Sequence, residues 1–409
     1  MSQPNRGRRR SPSRPKPPAD AAGVAVRRLS LELLLRIDEE GAYANLLVPA
    51  RLADSGLEGP DRALVTSLVY GTTRMRRALD FLVDRFLHEP EVEPMVRAAL
   101  RMGAFQLHEL GTPPHAAVST TVGAVPKRAR GLVNAVLRKV AGAEVEWPDE
   151  ATRLSVPDWL HGRLTTDLGT QRATAVLATM NRPPVVTKRA DGYLQDRGSQ
   201  LVVEAVEARA GHRVVDLCAA PGGKSTGLAA AGARVVAADL SPARAALTAR
   251  NVRSLGGNRV EGPMAERHGG RVDVVVADGR RPPLRPRSFD RVLVDAPCSG
   301  LGSLRRRPDA RWRIDEAAIE RLVPLQVALL AAALDLVAPG GMLVYSVCTL
   351  TDAELMEPVA QLLDRHPRLE VQGPPSEEWE QGPGGFRLMP DRTDTDGMAI
   401  ARFGVPPES

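Results

Sequence analysis

Residues 214–229 read VVDLCAAPGGKSTGLA, and this stretch decides how the second half of the chain is read. An apolar, β-branched run leads into Cys218, Ala219, Ala220, Pro221, Gly222 and Gly223, then into Lys224-Ser225-Thr226 and a helical pattern. A strand, a glycine turn and a helix in that order present a loop to a nucleotide-like ligand at the end of a parallel sheet. The Gly-Lys-Ser end suits a phosphate-binding loop, G-x-x-x-x-G-K-[ST]. The first glycine of that pattern would fall at Cys218, and Pro221 removes a backbone N–H that a phosphate cradle needs. The dinucleotide pattern G-x-G-x-x-G is missing as well.

The alternation continues outward from this stretch. ARVVAADL, RVDVVVAD, FDRVLVDAPC and GMLVYSVC follow as β-branched runs separated by helical ones. That pattern predicts an α/β domain over residues 192–405, with a mostly parallel sheet and right-handed crossovers. One helix start is explicit: Ser241 as N-cap, Pro242 at the first helical position and Gly256 as the stop. Asp216, Asp239 and Asp278 close three successive strands, the edge where such sheets bind ligands. The nucleotide-like ligand left for this layout is S-adenosylmethionine. The glycine turn would approach its methionine part, Asp239 its ribose hydroxyls and Asp278 its adenine amine. Each acid alone reads equally well as a turn cap or a solvated loop residue; three at successive strand ends favour a site.

The first half has a different period. Residues 1–23 are rich in Pro, Ser and Arg and read as a disordered basic arm, either a phosphate contact or a solubilising tail. Residues 24–140 are helical throughout; Leu79, Leu82, Val83, Phe86 and Leu87 form one apolar stripe, and an all-α bundle is expected. Residues 141–191 read as a connector containing one helix, GTQRATAVLATM.

Composition narrows the function classes. The 409 residues suit two or three domains, and a net charge of +6 suits a polyanionic partner. With 3% aromatic residues, a broad stacking platform for single-stranded RNA is not expected. Three scattered cysteines, Cys218, Cys298 and Cys348, argue against a disulfide framework, and without a CxxC no zinc or other metal site is expected. Isolated thiols suit a reducing compartment. No apolar run reads as long enough to span a membrane, and the N-terminus has no signal-peptide core. A cytoplasmic monomer is the expectation.

At this point the residues resemble a known family. DLCAAPGGKST, DAPCSGLG and YSVCTLTDAE are similar to the RNA cytosine-5 methyltransferases of the Nol/Nop/Sun group. GAYANLL, DRALVTSLVYGTTR, ALRMGAFQLHEL and GLVNAVLRK resemble the NusB-like domain of the Sun (RsmB) branch, which methylates a cytosine of small-subunit ribosomal RNA. The resemblance covers all but the arm. It implies a NusB-like all-α domain followed by a Rossmann-like methyltransferase domain that uses S-adenosylmethionine on RNA. Residues 218–224, Asp239, Arg244, Asp278 and Asp295 would hold the cofactor.

The implied chemistry explains the cysteines. C5 of cytosine is a poor nucleophile until a thiolate adds to C6 and turns the ring into an enamine. Cys298 and Cys348 close the fourth and fifth runs, and adjacent parallel strands would bring both thiols to one cleft. The resemblance implies that Cys348 is the nucleophile and Cys298 assists product release. It implies that Asp295 bonds the N3 and amino edge of the base, and that Lys224 is a site lysine. Cys218 reads as a small buried apolar residue. Arg305, Arg306, Arg307 and Arg311 are expected to meet RNA phosphates.

Three departures stand out. Val347 replaces the family's usual Thr, Leu355 replaces its Asn, and a small RNA-recognition insert is missing before Gln195-Asp196-Arg197-Gly198-Ser199. A methyltransferase acting on an exocyclic amine and a non-catalytic RNA-binding factor on the same fold stay open as alternatives.

Overall fold

The computed structural model describes residues 19–89, 91–255 and 270–408. The chain forms two compact units, Met1–Glu146 and Trp147–Ser409.

The first unit is all-α among the described residues. Its longer helices span Ala19–Asp38, Ala44–Asp54, Gly59–Arg74, Pro94–His108, Pro114–Ala124 and Arg130–Ala141. Proline in the first turn starts three of them, where its missing N–H has no intrahelical partner to lose. Gly71 is required: a Cβ there would lie 1.9 Å from Cζ of Phe105. Most of the expected arm, residues 1–18, lies outside the described residues. Ala19–Gly23 are not part of an arm, because they already belong to the first helix. Their alanine-rich run favours helix and begins directly after the breakers Pro17 and Pro18.

The second unit is built on a mixed sheet. Strands β1 (Arg213–Asp216), β2 (Arg234–Asp239), β3 (Arg271–Val276), β4 (Phe289–Asp295) and β5 (Val337–Val347) are parallel in the order β3-β2-β1-β4-β5. Four short antiparallel strands extend the far edge: β6 (Glu370–Val371), β7 (Glu380–Gly382), β8 (Gly385–Leu388) and β9 (Met398–Gly404), with β9 against β5. All five expected parallel runs are strands. The antiparallel edge is an addition, built from short pieces that carry no period long enough to read.

Both faces of the sheet are covered. One carries Leu201, Val202, Leu228, Val252 and Ile400; the other carries Leu329, Leu330, Ala333, Tyr345 and Phe403. The helix Glu316–Leu334 supplies part of the second face. By length and composition it is apolar enough to cross a membrane, which corrects the expectation that no such run exists. Its Leu329, Leu330 and Ala333 pack into the core beside β4 and β5.

Residues 147–180 are more than a connector. The helices Glu150–Arg153, Asp158–Leu168 and Thr170–Met180 pack Leu160, Leu164, Val176 and Leu177 against Leu301, Leu304, Ile319 and Leu350. The loops after β4 and β5 therefore rest on a small core of their own.

Candidate active site

The strand order sets the site. With β3-β2-β1-β4-β5 side by side, the carboxyl ends present Asp278, Asp239, Asp216, Asp295 and Cys348 along one edge. Asp295 and Ser346 are register partners on β4 and β5, so Cys298 and Cys348 leave the sheet from adjacent, level strand ends. Their sulfurs lie 3.2 Å apart, and the Cys348 backbone N–H also donates to Cys298 Sγ at 3.3 Å.

The opening loop reaches the site through Lys224. Gly222 has φ +96° and a Cβ there would meet Thr248 Cγ2 at 2.8 Å, so only glycine turns the chain here. Its helix, Gly223–Ala230, starts immediately and carries Lys224. Lys224 Nζ donates to Asp295 Oδ2 at 2.6 Å, and Ser346 Oγ donates to Asp295 Oδ1 at 3.2 Å. Burial works against the Lys224 charge, but Asp295 outweighs it and holds the ammonium above the usual lysine pKa.

The two thiols are not equivalent. Either sulfur could donate in their hydrogen bond, and the surroundings choose. The bond to Cys298 lowers the Cys348 pKa, with Lys224 helping against burial and Asp295. Cys298 is pushed well up by its bond to Cys348, by burial and by the nearby Glu354. The surroundings therefore favour the negative charge on Cys348 and the proton on Cys298. Cys218 is held as a thiol by burial and by three neighbouring acids, and it packs with the apolar core.

The residues at the other end suit a nucleoside. Asp239 accepts from Ala220 N–H at 3.2 Å and Ser241 N–H at 3.1 Å, and pairs with Arg244 Nε at 3.3 Å. Arg244 is 57% exposed, so the ribose hydroxyls of a ligand could displace it and leave the carboxylate to accept them. Arg244 and Asn251 also hold the carbonyls of Ala220 and Pro221, fixing the loop. Asp278 lies two residues past β3 with both oxygens on the exposed Arg280, whose hydrogen bonds lower its pKa to about 2. Asp216 is fully buried and receives Ser225 Oγ at 2.7 Å; it pins the helix start to β1 rather than facing a ligand.

The expected arginines divide. Arg305 is buried and donates to Asp394 and the Pro183 carbonyl, Arg306 pairs with Asp396, and Arg311 donates to the Ser155 carbonyl and Asn181 Oδ1. Arg305 and Arg311 brace the protein interior, because a guanidinium fork satisfies carbonyls that would otherwise be stranded, while Arg306 is exposed but held by the buried Asp396. Arg307 is half-buried and has no ion-pair partner among the described residues.

Comparison with known proteins gives the family. Residues 203–404 match the family model described as 16S rRNA methyltransferase RsmB/F, and residues 24–142 match the NusB family. The ribosomal RNA small subunit methyltransferase B of Thermus thermophilus is 36% identical, over 92% of this chain and 97% of its own.

The chain belongs to the RsmB/F methyltransferase family.

A Mycobacterium tuberculosis protein named as a methyltransferase is 36% identical over 98% of this chain and 99% of its own. That alignment runs over 479 positions, 70 more than this chain has residues, so at least 70 positions of the relative have no counterpart here. The crystal structure of PH0851 shares the fold at a TM-score of 0.71, covering 96% of this chain and all of that one at 21% identity. S-adenosylmethionine is the methyl donor of the RsmB/F family, and the loop, Asp239 and Arg244 fit it.

Sequence reading missed the residues behind the thiols. Ser299, Gln326, Thr349 and Glu354 form a buried polar cluster under both cysteine loops. Ser and Thr after a strand read as ordinary turn residues, and a glutamate in a helix's first turn reads as a dipole contact. The two departures are explained by packing: Val347 and Leu355 are fully buried in the apolar core around Tyr345 and Ala399.

Proposed function

We propose that this protein methylates C5 of a cytosine in RNA, with small-subunit ribosomal RNA as substrate, through a covalent bond from Cys348 to C6 of the base. The observation that carries the reading is the pair of touching thiols beside Lys224 and Asp295. Methylation of an exocyclic amine has no use for a thiolate, and a binding protein has no use for a polarised pair.

When bound, S-adenosylmethionine supplies an electrophilic methyl group; residues 219–224, Asp239, Arg244 and Asp278 would hold it. The chain's own residues do the rest. The target cytosine is splayed out of its stack into the cleft. Asp295, steadied by Lys224 and Ser346, holds the N3 and amino edge. Cys348 Sγ bonds to C6, and the ring electron pair moves to C5, which then takes the methyl. A base removes the C5 proton, the pair re-forms the C5–C6 double bond, and the C6–S bond breaks to return the Cys348 thiolate. Cys298, kept protonated beside it, serves this release. Arg307 contacts RNA phosphate near the cleft, and the work is done where ribosomal RNA is, in the cytoplasm.

The test uses small-subunit RNA lacking the modification and carrying tritium at cytosine C5. One tritium released per methyl transferred, with both lost in Cys348→Ala, is the expected result. Methylation with the tritium retained would instead mean transfer to an exocyclic amine.

A further inference from the structure

Both cysteines are followed by a residue that hydrogen-bonds to the same buried carboxylate. Ser299, next to Cys298, gives Glu354 its backbone N–H at 2.7 Å and its hydroxyl at 2.6 Å. Thr349, next to Cys348, gives its hydroxyl at 2.6 Å. Thr351 adds a hydroxyl at 3.0 Å and Gln326 an amide N–H at 3.2 Å. The same Gln326 nitrogen donates to the carbonyl of Pro297, directly before Cys298, at 3.0 Å. Glu354 itself has no solvent exposure.

This is an unusual concentration of donors on one side chain. A buried carboxylate without partners would be costly, and here its acceptor sites are filled from three separate elements. Those elements are the loop after β4, the loop after β5 and the helix Glu316–Leu334. The two loops are otherwise joined at the backbone by the Gly302 N–H to the Cys348 carbonyl at 2.9 Å. Glu354 is the start of the helix Ala353–Arg365, and Tyr345 Oη on β5 donates to its carbonyl at 2.8 Å, so its own position is fixed from below.

We infer that Glu354 is the positioning residue of the cysteine pair: by holding Ser299 and Thr349 on one carboxylate it fixes the contact between Cys298 and Cys348 and keeps their roles separate. The inference rests on the two-cysteine reading above. Glu354 holds the residues after both cysteines and Lys224 is held on Asp295; the first charge raises the Cys298 pKa and the second lowers that of Cys348, so the two act in the same sense. A pair free to part would lose the hydrogen bond that marks Cys348 as the thiolate, and Cys298 could then compete as nucleophile.

The experiment compares wild type, Glu354→Gln and Glu354→Asp as full-length proteins. Each is treated with iodoacetamide at pH 7 without RNA, and labelling of every cysteine is followed by mass spectrometry. In wild type, Cys348 should label fastest. In Glu354→Gln, which keeps size and removes charge, the ratio of Cys348 to Cys298 labelling should fall at least ~tenfold, the change that a one-unit displacement between their pKa values gives. Labelling of Cys218 should stay unchanged. Glu354→Asp keeps the charge on a shorter arm and should recover part of the ratio. With RNA, kcat should fall in Glu354→Gln while KM stays within about twofold, the signature of an interaction that matters in the transition state.

An unchanged labelling ratio in Glu354→Gln would overturn the inference. So would equal rises in all three cysteines, because that would mean a loosened fold. The parent reading is tested separately by Cys348→Ala. If that variant still methylates RNA, the two-cysteine reading is wrong whatever the labelling shows; if it is inactive and the Glu354→Gln ratio is unchanged, only the role of Glu354 is wrong.

Discussion

Lys224→Gln is expected to cost stability as well as activity, and its size follows from the geometry. Lys224 and Asp295 are 13% and 27% exposed and 2.6 Å apart. At that distance two unit charges attract by about 6 kcal/mol with an effective dielectric constant of about 20. Much of this is offset by desolvation, and removing one partner of a buried pair costs roughly 3–5 kcal/mol. Asp295 keeps some contact with water, which places the expected loss near the lower end, at about 3 kcal/mol. For a domain of this size that is a fall in Tm of about 6–12 °C. The pH dependence has a definite sign. The folded-state pKa of Lys224 is raised, so its contribution is complete below the unfolded lysine value and fades only as pH rises above about 10.5. Chemical denaturation of wild type and Lys224→Gln at pH 6 and pH 9 should therefore give the same difference. A double-mutant cycle with Asp295→Asn should return most of it as coupling energy. A difference under about 1 kcal/mol that vanishes in high salt would mean a surface-like pair and would refute the buried-pair argument.

Other variants should behave as follows. Asp216 is an acid whose pKa burial raises to about 7, so the folded state takes up a proton and loses stability as pH rises from about 4 to 7. Asp216→Asn should flatten that slope, with the gain reaching up to about 4 kcal/mol at pH 8 in denaturant titrations. Gly222→Ala forces a side chain into φ +96° and against Thr248, and calorimetry should show S-adenosylmethionine bound at least ~tenfold more weakly. Arg311→Met should lower stability by about 3 kcal/mol by stranding two acceptors, without changing the salt dependence of RNA binding. Arg307→Ala should do the reverse, leaving Tm within error and reducing the slope of log affinity against log salt by about one.

The sheet was legible because each of its parallel strands is a β-branched run ending in an acid or a cysteine, and burial on both faces leaves no polar alternation to confuse the period. Once the strands are in order, the meeting of Cys298 and Cys348 follows from adjacency alone. The antiparallel edge was not legible: β6, β7 and β8 are two to four residues long and owe their shape to pairing, β6 and β8 with β9 and β7 with β8. The arginine run misled because charge in a sequence says nothing about which acceptors need a donor; Arg311, the largest fully buried side chain among the described residues, donates to residues 156 and 130 positions away. Glu354 was invisible for the same reason, since its donors come from positions 299, 326, 349 and 351.

The most direct measurement is a denaturing gel of protein incubated with S-adenosylmethionine and unmodified small-subunit ribosomal RNA. Wild type, Cys298→Ala, Cys348→Ala and the double variant would be run side by side. A covalent protein–RNA band that accumulates in Cys298→Ala and is absent from both forms lacking Cys348 is the expected result, because the nucleophile would add and the release step would stall. A band that persists in Cys348→Ala, or full methylation without Cys348, would contradict the assignment of this thiolate as the group that attacks the base.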